Sequence, residues 1–428
     1  MNVIVVLNES SGRKIKASVL ALASISFLSV LLIDPLTGYT HEPITTNVRF
    51  NREIIRIFER SCLACHSAGR IKADIPLNTY DVARPWAKAI KEEVLEKRMP
   101  PYQVVKGFGS FHRDYGLSQR DVDLIVSWVE GGAPKGDDKD LPGRAETSSG
   151  WALGAPDLIL QPASETKIPR DGDTTLCLLL PTDLKKDRWM SGLEFRPGNS
   201  AVVHSASVSL LRGASSRPNA GPRRDASCNT GGSGSTSDEL GTWVPGQVSI
   251  RFPDGVARLL PAGSRVELKI HYHSNGEVTS DRSAIGFYFA GEEPVRQVKA
   301  LTLAAPLTSV PVGVQSFRVK SSYVLPGAAE AIGLRPILFP FAKSVEATAY
   351  RPDGTAEVLV WAKNRRLDWE PIYYFRRPVE LPKGTRIEVV AYLDNSAENP
   401  NNPHDPPRAV QFAEPLCDLF LTQSVDLR

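Results

Sequence analysis

The sequence predicts a multidomain chain, a small all-α domain followed by two all-β sandwich domains, and three observations carry that prediction. Between residues 45 and 135, apolar residues recur at helical spacing around Cys62-Leu63-Ala64-Cys65-His66. Beyond Gly150, short alternating runs are separated by proline and glycine turns, and one nine-residue stretch of this β-like part occurs twice. At 428 residues the chain is too long for one ordinary core, so two or three domains are expected. Lys and Arg number 51 against 48 Asp and Glu, and this balance, with no long basic run, argues against nucleic acid as a partner.

The N-terminus comes first. Arg13, Lys14 and Lys16 precede an uncharged, mostly apolar run from Ala17 to Ile33 that ends at Asp34-Pro35, so residues 1–40 read as an export segment. No clean A-x-A cleavage site follows, and the run approaches membrane-spanning length. The segment is therefore either a removed signal or a retained anchor that attaches the chain to a membrane. In both cases the remainder is expected in the periplasm or otherwise outside the cytoplasm, where disulfides are permitted.

Cys62, Cys65 and His66 form the C-x-x-C-H attachment pattern of a c-type haem. Two thiols three residues apart share one side of a helical turn and can each add to a haem vinyl group, while His66 is left to bind the iron as proximal ligand. A redox-exchange pair or half of a zinc site would use the same two cysteines, but there is no second C-x-x-C and the histidine would have no role. Residues 45–135 thus read as an all-α cytochrome c-like haem domain.

One predicted helix precedes the motif, with Ile54, Ile55 and Phe58 on one face. A second starts near Asp81 as N-cap, tolerates Pro85 in its first turn and carries Trp86, Ile90 and Val94. The third opens on a capping-box-like pair, Ser118 and Asp121, and stops at Gly131-Gly132. Between the second and third, Arg98-Met99-Pro100-Pro101 presents Met99 as the candidate distal iron ligand, because the next residue, proline, forces it out of helical geometry. A gap-filling core methionine is the other reading, and His112 is the alternative ligand, which would give a lower potential.

Residues 136–150, rich in Gly, Ser, Asp and Lys, read as a linker. In the β-like part beyond it, Ser344–Tyr350, the turn Arg351-Pro352-Asp353-Gly354 and Ala356–Trp361 make a hairpin. Leu260-Pro261-Ala262-Gly263-Ser264-Arg265-Val266-Glu267-Leu268 recurs as Leu381-Pro382-Lys383-Gly384-Thr385-Arg386-Ile387-Glu388-Val389, which predicts two sister β-domains, 151–295 and 296–428. The run Arg265 to His273 alternates, putting Glu267, Lys269, His271 and His273 on one face. Two such imidazoles could hold one metal ion or be simply solvated, and His204 is either a hydrogen-bonded core histidine or a weak further ligand. Cys177, Cys228 and Cys417 supply at most one intramolecular disulfide, and their spacing does not choose the pair.

His271-Tyr272-His273-Ser274-Asn275-Gly276, Gly241-Thr242-Trp243-Val244-Pro245-Gly246, the stretch Gly150 to Asp157 and Asp394-Asn395-Ser396 resemble bacterial relatives of the copper type II, ascorbate-dependent monooxygenases. That family includes peptidylglycine α-hydroxylating monooxygenase and dopamine β-monooxygenase. Some bacterial members carry an N-terminal cytochrome c with the same C-x-x-C-H and Arg-Met-Pro-Pro pattern. The resemblance implies two eight- or nine-stranded jelly rolls, each giving one copper site to a shared cleft.

Several ligands that the resemblance implies are missing. The family's first copper uses a His-His pair and a third histidine, yet the pair here reads His204-Ser205 and the later segment reads Pro336-Ile337-Leu338-Phe339. At the second copper, His271 and His273 match the family's His-x-His, while Leu416 stands where a methionine is expected. Two functions are compatible with this pattern. One is an exported c-type cytochrome that transfers electrons to or from a redox partner protein or small-molecule reductant, with haem c as cofactor and the β-domains as scaffold. The other is a copper-dependent monooxygenase hydroxylating with O2 at His271 and His273, with the haem as electron donor.

Overall fold

The apolar spacing near the N-terminus does form helices, and they are short. A π-helical turn, Phe50–Ile54, runs into α1, Ile55–Ser61, and is followed by α2, Tyr80–Ala83, α3, Ala87–Leu95, and α4, Gln119–Glu130. Thr79 rather than Asp81 stands at the N-cap of α2, and Pro85 sits in a 3-10 turn that leads into α3. At α4 the capping box closes as the pattern predicts: Ser118 Oγ accepts from the Asp121 amide, and the Asp121 carboxylate accepts from the Ser118 amide. The helices cover Phe50, Ile54, Phe58, Ile125 and Trp128, all fully buried, with Phe50 and Phe58 edge to face at 5.9 Å.

The structure is a computed structural model that describes residues 46–102, 104–113, 116–143, 150–211, 223–224, 237–247, 249–338, 341–363 and 371–424. The export segment expected at 1–40 lies outside the described residues, as do Cys228 and Phe339. Among the described residues no helix is long and apolar enough to cross a membrane. Asn47–Arg428 forms one compact unit.

The expected fold class, an all-α cytochrome c domain ahead of two separate jelly rolls, is corrected by this architecture. The chain is mostly β, 42% strand against 13% helix, and no self-contained all-α domain is present among the described residues. The segment between α3 and α4 leaves the helices and runs against the second β half, with isolated bridges from Val104 to Ala362 and from Phe111 to Phe375, which belong to different sheets. The Val105 amide donates to the Trp361 carbonyl at 2.7 Å, and the His112 amide to Tyr374 at 2.8 Å. The physical reason is composition: Val104-Val105-Lys106-Gly107-Phe108-Gly109-Ser110-Phe111 is β-branched, aromatic and glycine-broken, so it cannot extend a helix. Its apolar side chains reach burial by entering the core of the C-terminal β half.

The two β halves also share a sheet. Eight strands of a nine-stranded sheet run from Leu158–Leu160 at one edge to Tyr373–Leu381 at the other, with Ile250–Arg251 pairing beside Arg188–Arg196, and the halves meet where Arg296–Ala304 pairs in parallel with Val256–Leu260. A five-stranded sheet backs the first half and a four-stranded sheet, which contains the hairpin Ala342–Tyr350 and Ala356–Lys363, backs the second. Val256, Val298, Ile332, Ile372 and Phe420 form a small apolar cluster at the seam, so separating the halves would expose it. The repeated stretch proves to be one turn used twice, with Gly263 at φ +65° and Gly384 at φ +85° before the strand resumes.

Four strands of the five-stranded sheet position the histidines: β1, Asp173–Pro181; β2, Val203–Leu211; β3, Ser237–Trp243; and β4, Arg265–His273. Strand β4 lies antiparallel between β1 and β2. Val266, Leu268, Ile270 and Tyr272 are fully buried, which leaves His271 and His273 on the opposite face. Cys177, on β1, is disulfide-bonded.

Candidate functional site: an apolar cavity joined to a histidine cluster

Cys62, Cys65, His66 and Met99 line a single cavity of about 440 Å³ whose remaining wall is largely apolar, with Ile71, Ile75, Leu77, Ile90 and Val94 prominent. The end of α1 delivers the cysteines. The Cys65 and His66 amides both donate to the Cys62 carbonyl, at 3.1 and 2.9 Å, so the motif closes into a tight turn with its functional side chains on one side. Met99 arrives from the end of α3, its amide held 3.2 Å from the Glu93 carbonyl.

The His66 ring is oriented by a backbone contact. Its Nδ1 lies 3.0 Å from the Ile75 carbonyl, which can only accept, so Nδ1 carries the proton and Nε2 keeps its lone pair. Burial lowers the His66 pKa, and the carbonyl bond offsets this only in part, so the ring stays neutral and able to ligate. Burial also pushes the Cys62 thiol up to about 12, with Cys65 adding to the rise. A redox-exchange cysteine has the opposite shift. The cavity, its apolar lining and the free imidazole nitrogen together fit a c-type haem held by Cys62, Cys65, His66 and Met99.

His112 is exposed and tied to the second β half through its backbone, and it does not line the cavity. His204 does. It lies on β2 with its ring centroid 5.6 Å from that of His271 and 6.4 Å from that of His273. Thr175 Oγ1 stands 3.2 Å from His271 Nδ1, and Asp173 Oδ1 is 2.6 Å from His273 Nδ1. The second Asp173 oxygen is 3.7 Å from His271 Nε2, beyond hydrogen-bond reach.

Sequence reasoning missed Asp173, because its place opposite His273 is set by strand register, which no local pattern carries. Among the described residues no group of three or more His, Cys, Asp and Glu side chains is arranged to hold a metal ion. Leu416, fully buried, offers no donor where the resemblance implies a methionine. Among the described residues a copper ion at His271 and His273 therefore lacks the third ligand that the resemblance implies, and this donor set does not fit that copper chemistry.

No family model matches the chain, and no curated protein matches it. Three solved structures show the level of likeness. The VP2 subviral particle of infectious bursal disease virus is 9% identical, with 62% of this chain and 71% of that chain covered and a TM-score of 0.20. A protein from Parabacteroides distasonis described as secreted is 9% identical, covering 66% and 86%, with a TM-score of 0.16. A tandem CBM22 domain from Paenibacillus barcinonensis Xyn10C is 9% identical, covering 64% and 99%, with a TM-score of 0.14. Likenesses this weak say nothing of fold or function.

Proposed function

We propose that the chain is an exported, haem-carrying electron-transfer protein whose β halves, monooxygenase-like in sequence, serve as scaffold and as part of the haem's surroundings. The observation that carries the reading is the single apolar cavity walled by Cys62, Cys65, His66 and Met99. Two thiols to anchor a haem, one neutral imidazole and one thioether make a complete set for a six-coordinate c-type iron. The bound haem would supply one-electron Fe(III)/Fe(II) chemistry. The chain's own part is to exclude water with Ile71, Ile90 and Val94, to hold His66 by its bond to Ile75, and to set the potential through Met99. A disulfide at Cys177 and an export segment at residues 1–40 both support an extracytoplasmic location, with a redox protein or a small-molecule reductant as partner.

The test is haem content after expression in a host with a c-type maturation system. One covalently bound haem per chain is expected, and a folded, haem-free chain would overturn the reading. Met99→Ala is expected to turn a low-spin haem into a high-spin or water-ligated one, read in the visible spectrum. An unaltered low-spin spectrum would move the distal role to another side chain.

A further inference from the structure

We propose that His204 is an outer-sphere residue of the haem, through which the first β half sets the haem's reduction potential. This rests on the haem reading above and adds to it a control element that lies outside the helices. Three observations converge. His204 lines the same cavity as Cys62, Cys65, His66 and Met99, although it belongs to β2. The loop after β3 closes on the attachment motif itself: Gly246, at φ +81°, passes so near Ala64 that a Cβ there would stand 2.8 Å from the Ala64 Cβ, and Pro245 beside it lines the cavity. Finally, the His204 ring is walled by His271 and His273, which Thr175 and Asp173 hold in turn.

The consequence is electrostatic. Reduction of the iron, Fe(III) plus one electron to Fe(II), removes one positive charge from the haem. A polar imidazole kept in place by the sheet, flanked by His273 with its Asp173 partner, favours the more positive ferric state. The imidazole carries the larger part because it lines the apolar cavity, whereas Asp173, 54% exposed, is screened by solvent. Removing the imidazole should therefore raise the potential.

The experiment is a spectroelectrochemical titration of the full, haem-loaded chain and of His204→Leu, His204→Gln and Asp173→Asn, each first shown to carry covalent haem with an unaltered low-spin spectrum. Leucine at 204 is expected to raise the Fe(II)/Fe(III) ratio at fixed potential about tenfold, ~59 mV for a one-electron couple. Glutamine should recover most of the difference, which a purely structural role for His204 would not produce. Asp173→Asn should shift the couple in the same direction by less. An unshifted potential in haem-loaded His204→Leu would overturn the proposal. If that variant fails to load haem, an unshifted potential in Asp173→Asn would overturn it instead. Failure of the unaltered protein to take up haem would count against the haem reading itself.

Discussion

Serine at both Cys62 and Cys65 is expected to leave the chain with no covalently attached haem, so that any haem present extracts into acidified acetone. Each thioether consumes one thiol, and the two thiols reach the same cavity from one helical turn, so either single serine variant should keep haem through the remaining bond. The same variants separate this reading from a redox-exchange pair. Burial pushes the Cys62 thiol up to about 12, so in the haem-free chain it should react slowly with alkylating reagents at neutral pH. Rapid alkylation of Cys62, together with a reversible Cys62–Cys65 disulfide, would instead mark an exchange site, and retention of covalent haem in the double variant would refute the attachment assignment.

The gathering of Cys62, Cys65 and His66 at one cavity was legible because it is local. The spacing of Cys62, Cys65 and His66 is a fixed motif, and Ile54, Ile55 and Phe58, chosen for their helical period, are all buried. The capping box at Ser118 and the turn at Arg351 to Gly354 were legible for the same reason. Properties of pairing were not. The parallel contact between Val256–Leu260 and Arg296–Ala304 makes one sheet of two predicted domains, yet each strand alone reads as an ordinary half-buried run. The segment Val104 to Phe111 falls within the 45–135 helical domain that the sequence predicts, and only the strand positions supplied by Ala362 and Phe375 give it a strand-like role.

His204 shows how the two kinds of information combine. Taken alone it was a histidine of uncertain use near the end of an apolar run. Placed on β2 beside β4, it stands between the cavity of the attachment motif and the pair His271 and His273. The resemblance to copper monooxygenases directed attention to these histidines through their supposed metal. Thr175 Oγ1 stands against His271 Nδ1 and Asp173 Oδ1 against His273 Nδ1, and the two rings wall one side of His204.

Replacing Glu239 by glutamine is expected to remove a pH dependence of stability worth about 3 kcal/mol at 1.36 kcal/mol per pKa unit. Glu239 lies on β3, at the seam where Arg335 from Ala329–Pro336 reaches it at 3.4 Å. Arg335 is already engaged, with its Nη2 2.6 Å and its Nε 3.1 Å from Asp418 Oδ2. Arg258, almost fully buried, is engaged by Asp238. Burial pushes the Glu239 carboxyl from 4.5 up to about 7. The charge of Asp418 adds to the rise, while Arg335 and Arg258 oppose it.

The direction of the pH dependence comes from proton counting. Below pH 4.5 the folded and unfolded chains both carry the Glu239 proton, and the seam is at its most stable. Between 4.5 and about 7 only the folded chain keeps it, so stability falls as pH rises, and above about 7 the loss is complete. At 1.36 kcal/mol per unit this amounts to ~3 kcal/mol, an upper bound because the side chain keeps 14% of its exposure. Urea unfolding at pH 5 and pH 8 should show the stability difference between the two conditions smaller by about 2–3 kcal/mol in Glu239→Gln than in the unaltered chain. Equal differences in the two proteins would mean that Glu239 is ionised throughout, and that Arg335 is shared between two carboxylates rather than held by Asp418 against a neutral acid.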